Sequence, residues 1–489
     1  MEPESKRRKT DDEDEQKVAS TVIVQFVSAD GKLSDKIDLP MDYDPSSLED
    51  VLNQLLGTEE EPTPYAFYVG NTEVTENLEG AIKDEKLSTE TSISICYVPL
   101  SIFRVNPVTR CSNNIPGHTE AILHVQFSPD GQVLGTGGGD KTVRFWDINT
   151  CTPITTCVGH KNHVLCTAWS PNGHYYASGD KSGIVMIWDP QTGKLIQTLR
   201  GHRLYITSLC WEPLHLNKSC ERVASSSKDG TVIVWNVRTG LKELTISGHS
   251  DSIECVKWSG EGMIYTAGRD RIIRVWNMDI HQKKNNGKLI RTLIGHGHRI
   301  NSLSLSNEYT LRSGGFDFEH QSFKNEEDMY KNACEKYAKK KLEGEEKLVS
   351  CSDDFTMFVW TPLTSKTPLF RLVGHQQLVN HIAFSPDSRY IASASFDKKV
   401  KIWDAITGKI VSTLSGHVGA VYQVAWSPDS RYVASASKDS TIKIWKVKEK
   451  KAMYTLSGHA DEVYALDWNP FGICVASGGK DRVVKIWKN

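Results

Sequence analysis

His381-Ile-Ala-Phe-Ser-Pro-Asp-Ser-Arg-Tyr-Ile-Ala-Ser-Ala-Ser-Phe-Asp397, continued by Lys399-Val-Lys-Ile-Trp403-Asp404, is the stretch on which the fold turns. Apolar residues alternate up to Phe384, which reads as a strand with one buried face. Ser385-Pro-Asp387 is turn chemistry. Tyr390 to Ser395 reads as a second strand. In the third, Val400 and Ile402 alternate with lysines and end on Trp403. Three strands within so short a segment predict an antiparallel unit that cannot bury its faces alone.

The unit recurs. A Gly-His pair stands at Gly117-His118, Gly159-His160, Gly201-His202, Gly248-His249, Gly295-His296, Gly374-His375, Gly416-His417 and Gly458-His459. Most intervals are about 42 to 47 residues. Each pair is followed by a tryptophan: Trp146, Trp188, Trp235, Trp276, Trp360, Trp403, Trp445 and Trp487. Six positions before it stands an aspartate in seven repeats: Asp140, Asp229, Asp270, Asp354, Asp397, Asp439 and Asp481. In the second repeat Ser182 takes that place, with Asp180 near enough to compensate.

This pattern resembles the WD40 family over residues 100–489 and implies a mainly β chain with an eight-bladed propeller, four strands to a blade. The sequence ends at a third strand, so the eighth blade needs a fourth from elsewhere; Ile102 to Arg110 is the expected donor, closing the ring and removing open edges. The resemblance also implies that histidine, aspartate and tryptophan form a buried hydrogen-bonded set in each blade. The sets are His118, Asp140 and Trp146; His202, Asp229 and Trp235; His375, Asp397 and Trp403; His417, Asp439 and Trp445; and His459, Asp481 and Trp487. A recurring His and Asp invite a catalytic reading, but repetition in every blade fits stapling instead, because a buried indole N–H and imidazole need partners.

Other chemistry is missing. No phosphate-loop, nucleophile-elbow or His-Glu-x-x-His motif occurs. Gly135-Thr-Gly-Gly-Gly-Asp140 lacks dinucleotide spacing, and His296-Gly-His298 lacks a third metal ligand. The chain reads as no enzyme, with no intrinsic cofactor or metal. Lys plus Arg number 58 against 60 Asp plus Glu, so bulk charge points to neither nucleic acid nor membrane. No apolar run is long enough to cross a bilayer as a helix, and Met1 to Lys17 has no apolar core for a signal peptide. The 11 cysteines are scattered and read as reduced and buried.

In the fifth repeat, 316–347 interrupts the pattern. Glu326 to Lys341 carries Met329, Tyr330, Ala333, Cys334, Tyr337 and Ala338 at helical spacing. The stripe either packs on its blade or meets a partner, and Lys339-Lys-Lys341 is a candidate phosphate contact. Propellers of this family often bind through the residues that follow Gly-His. Here these include Lys161, His163, Arg203, Tyr205, Arg299 and Leu378, among them the arginine and aromatic types common at hot spots.

Residues 1–19 read as a disordered charged tail, with Lys6-Arg-Arg-Lys9 a candidate nuclear localisation signal. Over 20–99 the pattern becomes ββαββ. Thr21 to Val27 and Lys36 to Leu39 are strands about an Asp30-Gly31 turn, Pro45 to Leu56 is a helix closed by Gly57, and Ala66 to Val69 and Thr91 to Tyr97 are strands. The order looks ubiquitin-like. Without a terminal Gly-Gly it reads as a docking module.

A ubiquitin-like domain ahead of eight repeats, with Phe103-Arg-Val-Asn-Pro-Val-Thr-Arg110, Trp211-Glu-Pro-Leu-His215, Ser225-Ser-Ser-Lys-Asp-Gly230 and Ser352-Asp-Asp-Phe-Thr-Met-Phe-Val-Trp360, is similar to the Notchless family. The resemblance implies an assembly factor of the large (60S) ribosomal subunit in nucleolus and nucleus. Its propeller would sit on the pre-60S particle, touching rRNA and ribosomal proteins. Its ubiquitin-like domain would dock on midasin, an AAA ATPase. The family's docking residue is an acid in the loop before the last strand of that domain, which here is Glu90. Its carboxylate would complete the shell of a Mg²⁺ held by midasin's adhesion site, a hard ion that wants oxygen ligands. Two other readings stand beside this one: an adaptor in Notch signalling that binds the receptor's cytoplasmic region, and a substrate receptor in a ubiquitin pathway.

Overall fold

The computed structural model describes residues 21–28, 33–57, 65–70, 72–74, 77–85, 92–99, 105–278, 287–318, 322–342, 344–447, 449 and 451–489. The charged tail, the Asp30-Gly31 turn and Glu90 therefore lie outside the described residues. The chain divides into two compact units, 1–102 and 103–489.

In the first unit β1 (Thr21–Ser28), β2 (Leu33–Pro40), α1 (Pro45–Leu55), β3 (Tyr65–Val69), β4 (Thr72–Glu73), α2 (Leu78–Asp84) and β5 (Ile93–Pro99) follow one another. The sheet order is β2-β1-β5-β3-β4, with β1 antiparallel to β2 and parallel to β5. This is the β-grasp arrangement of ubiquitin-like domains. Alternation puts Val22, Val24 and Phe26 of β1 on the inner face, where Leu48 and Leu52 of α1 meet them with Phe67 and Ile95. Asp44 caps α1 by accepting the Ser47 N–H at 2.8 Å, Pro45 takes the first turn, and Gly57 follows in the left-handed region.

The second unit consists of eight four-stranded antiparallel sheets. Blade 6 shows the rule: Val379–Phe384 innermost, then Tyr390–Ser395, Lys399–Asp404 and the outer strand Ile410–Ser415. Neighbouring blades bury aliphatic faces against each other; blade 6 lends Ala392, Val400 and Ile402 to a cluster with Val421, Val424 and Trp445 of blade 7. The fourth strand of blade 8 is β6 (Arg110–Pro116), antiparallel to Val483–Lys488. The expected donor, 102–110, is thus displaced toward the C-terminus. Pro107 cannot donate to a ladder, and within the paired strand Ile115, opposite Val484, turns into the core. Among the described residues the preceding segment is held by separate contacts: the Val105 N–H donates to Asp429 Oδ2 at 2.9 Å, the Thr109 N–H donates to Lys488 O at 3.1 Å, and Val108 packs among blades 7 and 8.

The insertion of blade 5 occupies 306–347, between Ile300–Leu305 and Leu348–Ser352, so it begins ten residues before the expected boundary. The early part contains α3 (Glu308–Ser313), six residues too short to show a periodic stripe. The expected helix is α4 (Glu326–Leu342). Its stripe faces inward, and much of what it meets belongs to other blades. Met329 and Ala333 are buried with Leu214 and Cys220 of blade 3 and Phe471 of blade 8. Tyr337 stacks on His215 with centroids 3.9 Å apart and donates its hydroxyl to Glu261 of blade 4 at 2.9 Å. Arg312 bonds Asp467 of blade 8, with Nη1–Oδ1 at 2.8 Å, and the Tyr309 hydroxyl donates to Pro470 O at 2.7 Å. The insertion is a strap across the ring on the side of the Ser-Pro-Asp turns. Of Lys339, Lys340 and Lys341, the last pairs with Glu261 at 2.8 Å.

All eleven cysteines are free thiols. Six are buried as expected; Cys96 is exposed, because it lies on the outward face of β5, and the other four are partly buried. Among the described residues no helix is long and apolar enough to cross a membrane.

Candidate functional site: the Gly-His rim of the propeller

The loops carrying Gly-His and the turns carrying aspartate share one end of the ring, because a hydrogen bond joins them in every blade. In blade 6 the indole N–H of Trp403 donates to Ser393 Oγ at 2.9 Å, Ser393 Oγ lies 2.7 Å from His375 Nε2, and His375 Nδ1 lies 2.8 Å from Asp397 Oδ2. All groups are satisfied when the histidine is neutral with its proton on Nδ1, donating to the carboxylate while Nε2 accepts from the serine. Burial holds the His375 pKa below its usual value despite the Asp397 charge, in keeping with a neutral ring. Burial alone would raise the Asp397 carboxyl. The hydrogen bonds from His375 and from the N–H groups of Gln376 and Lys399 more than reverse this, holding it at about 2.

The structure brings together the corresponding atoms of every other set. His118 meets Asp140 at 2.9 Å and Trp146 meets Thr136 at 3.0 Å. His202 meets Asp229 at 3.1 Å and Trp235 meets Ser225 at 2.8 Å. His417 meets Asp439 at 2.9 Å and Trp445 meets Ser435 at 2.8 Å. His459 meets Asp481 at 2.7 Å and Trp487 meets Ser477 at 2.8 Å. In blade 2 Asp180, two positions earlier and wholly buried, accepts from His160 at 3.0 Å and caps the turn through the N–H groups of Ser182 and Ile184. These groups sit under the surface as staples. Each has its partners already, leaving no nucleophile or base free to act.

The staples present a ring of side chains. The residue before each turn aspartate, or before Ser182 in blade 2, donates its N–H to the carbonyl three positions after a Gly-His histidine: Lys181 to His163, Lys228 to Tyr205, Asp353 to Arg299 and Phe396 to Leu378. His163, Tyr205, Arg299 and Leu378 therefore occupy one equivalent position in blades 2, 3, 5 and 6, all partly exposed. Lys161 and Arg203, one position after the histidine, are exposed, and the Arg203 N–H is tied to Asp229 at 2.9 Å. The six do not form one cluster. Arg299 is engaged by Asp353 at 2.6 Å, whereas Lys228 lies 5.0 Å over the Tyr205 ring. Sequence reasoning passed over Lys181, Lys228 and Arg269 beside the turn aspartates. It also passed over the aromatic row of Phe396, Tyr422 and Tyr464, with centroids 5.8 and 5.6 Å apart. For the cations and Phe396 the signal was the position before the turn aspartate, or before Ser182 in blade 2, read across the repeats.

Inside the ring lies a cavity of about 230 Å³, lined by His124, Lys257, Glu308, Arg312, His381 and Asp467 among others. Lys257 pairs with Glu308. Burial pushes both histidines down to about 4, so they are neutral near pH 7. Among the described residues no three His, Cys, Asp or Glu side chains gather as a metal site, His296 and His298 included. His296 belongs to the staple of blade 5, at 3.0 Å from Asp354.

A stapled eight-bladed ring with a β-grasp unit ahead of it defines a WD-repeat propeller protein. Seven segments, 109–147, 151–189, 193–236, 240–277, 366–404, 408–446 and 450–488, match the family described as WD domain, G-beta repeat. The blade without a match is the one split by the strap. Residues 22–82 match the NLE (NUC135) domain. The chain belongs to the Notchless family. It is 49% identical to the Notchless protein homolog of Arabidopsis thaliana, over 80% of this chain and 82% of that one. It is 43% identical to Ribosome assembly protein 4 of Saccharomyces cerevisiae, over 75% and 74%. To Protein Notchless of Drosophila melanogaster it is 44% identical, over 78% and 79%. Among solved structures, the computationally designed Ika8 protein aligns with a TM-score of 0.60 at 26% identity, covering 77% of this chain and 98% of that one.

Proposed function

We propose that this chain is a non-enzymatic assembly factor for the 60S ribosomal subunit, acting in nucleolus and nucleus. Its propeller holds the pre-60S particle and its ubiquitin-like domain engages the AAA ATPase midasin. The observation that carries the reading is the likeness, across three quarters of both chains, to a protein named Ribosome assembly protein 4. The stapled rim supports it, since a rigid ring with varied loops is suited to binding a large partner.

Glu90 is the proposed ligand to the Mg²⁺ of the partner. It lies between Glu85, which ends α2, and Ser92, which is exposed just before β5. A carboxylate on such a connection offers the hard oxygen that Mg²⁺ requires, and the metal supplies a strong, directional bond between the two proteins. Pulling on the ubiquitin-like domain would load the segment through Val98 to Pro107. Within it the Val105 N–H is fixed to Asp429, and the chain then enters the ring as β6.

Capture of the full chain by the midasin adhesion domain should occur in Mg²⁺ and fail in EDTA. Glu90→Asp, about one methylene shorter, should weaken it strongly, because Mg²⁺ tolerates little geometric error. Equal capture in both buffers would remove the metal bridge. Co-sedimentation with pre-60S particles tests the wider role. The Notch reading draws on the name Protein Notchless of a relative; binding to a receptor's cytoplasmic region with no particle association would favour it.

A further inference from the structure

The Gly-His rim is not uniform in charge. At the position just before the turn aspartate, or before Ser182 that stands in its place in blade 2, blades 2, 3 and 4 carry Lys181, Lys228 and Arg269, all exposed. Blades 2 and 3 add Lys161 and Arg203 one position after the histidine. Among the described residues none of these five has an acidic partner. The same position elsewhere is neutralised or uncharged: blade 5 has Asp353, bonded to Arg299, and blade 6 has Phe396. Lys438 of blade 7 faces Glu462 at 3.9 Å, and Lys480 of blade 8 faces Asp461 at 3.2 Å. The arc continues at both ends, with Lys141 and Arg271 exposed and in the left-handed turn position just after their aspartates. Glu120 and Asp251 are exposed acids in the same sector. The carboxylates of the turn aspartates in blades 2 to 4 are largely covered and occupied, Asp180 and Asp229 by histidine and backbone N–H groups and Asp270 by His249 and Arg274.

We propose that this arc, on blades 2 to 4, binds the sugar-phosphate backbone of RNA. The choice of RNA over an acidic protein rests on the ribosome-assembly reading. The form of contact follows from the residues. Unpaired lysines and arginines spread over three successive blades suit an extended polyanion of even charge spacing, and they gain affinity by releasing its counterions. Lys228 lies 5.0 Å over one face of the Tyr205 ring, so that face is taken by a cation and not open to a base. Contact is therefore to phosphates, which position a nucleic acid without reading its sequence, and a duplex is the fitting form. A near-neutral chain can hold such a site because the cations sit on one sector of one rim, at a few equivalent positions.

The experiment uses the full chain and an RNA duplex of about 20 base pairs, with binding followed by fluorescence anisotropy between about 50 and 200 mM salt. The triple variant Lys181→Glu, Lys228→Glu, Arg269→Glu should bind at least about 10-fold more weakly at low salt. Its slope of log K against log salt should shrink by roughly 2 to 3, the loss of three phosphate contacts. Lys438→Glu with Lys480→Glu, the same position where the cations are already paired, should stay within about 2-fold of wild type. All five side chains are exposed, and an unchanged melting temperature verifies the fold of each variant. Wild-type affinity in the triple variant overturns the site. Competition by polyglutamate as effective as by RNA overturns the choice of RNA and assigns an acidic protein. Particle sedimentation separates the two layers: a wild-type chain that binds RNA through this arc but never joins pre-60S particles sinks the assembly role and leaves the arc. One that joins them equally with and without the three cations sinks the arc and leaves the role.

Discussion

Removing the carboxylate of Asp397 should loosen blade 6 by an amount that the geometry sets. The carboxylate accepts from His375 Nδ1 at 2.8 Å, from Gln376 N at 3.1 Å and from Lys399 N at 3.0 Å. Hydrogen bonds to a charged group contribute about 1.5 to 3 kcal/mol each when isolated, and three that share one acceptor do not add fully. Asp397→Ala should therefore cost about 3 to 4 kcal/mol, since it also strands a buried imidazole N–H. An independent route gives the charge-dependent part. The carboxyl is held at about 2 against an ordinary value of about 3.9, which corresponds to about 2 to 3 kcal/mol. Asp397→Asn should lose roughly that much.

The sign with pH follows. A carboxyl whose pKa is lowered on folding stabilises the fold above its unfolded pKa and loses that contribution as pH falls through the folded one. The gap between wild type and Asp397→Asn should thus be full at pH 7 and close between about pH 4 and 2. Urea unfolding measures the gap, and hydrogen exchange at Ser393 and Ile402 locates it in blade 6. A loss below about 1 kcal/mol for Asp397→Ala, or a gap unchanged at pH 3, would refute the stapling argument.

Blade 2 offers a transplant: Asp180→Ala should destabilise by about 3 kcal/mol, and Asp180→Ser with Ser182→Asp, which restores the spacing of the other blades, should recover most of it in the same urea assay. Arg312→Gln leaves Asp467 without its cation beside the cavity and should cost about 2 kcal/mol, with early protease cutting in 306–347. Ile115→Ala should loosen the closing strand by about 2 to 4 kcal/mol and speed exchange along Val483–Lys488 more than in any other third strand.

The sequence alone determined the repeat and hence the ring. A period of about 42 residues, an apolar alternation and a Gly-His, Asp and Trp at fixed offsets are local signals, each tied to a turn or a strand that forms within one repeat. Most of the β-grasp order was legible for the same reason, since Val22, Val24, Phe26, Leu48 and Leu52 mark one face of a strand and one of a helix, while the two-residue β4 and the seven-residue α2 were missed because they are too short to show a period. Four matters only the tertiary structure decided. Asp180 could be named as a substitute, but its fit is a question of distance to His160. Which residues close the ring depended on pairing across some 370 positions, where Ile115 meets Val484, a contact that no local pattern encodes. The destination of the 306–347 strap and the unpaired state of Lys181, Lys228 and Arg269 are likewise relations between blades. Hydrophobic periodicity tells a segment which face to bury; what that face meets, and which charges are left without a partner, is fixed only when distant segments share space.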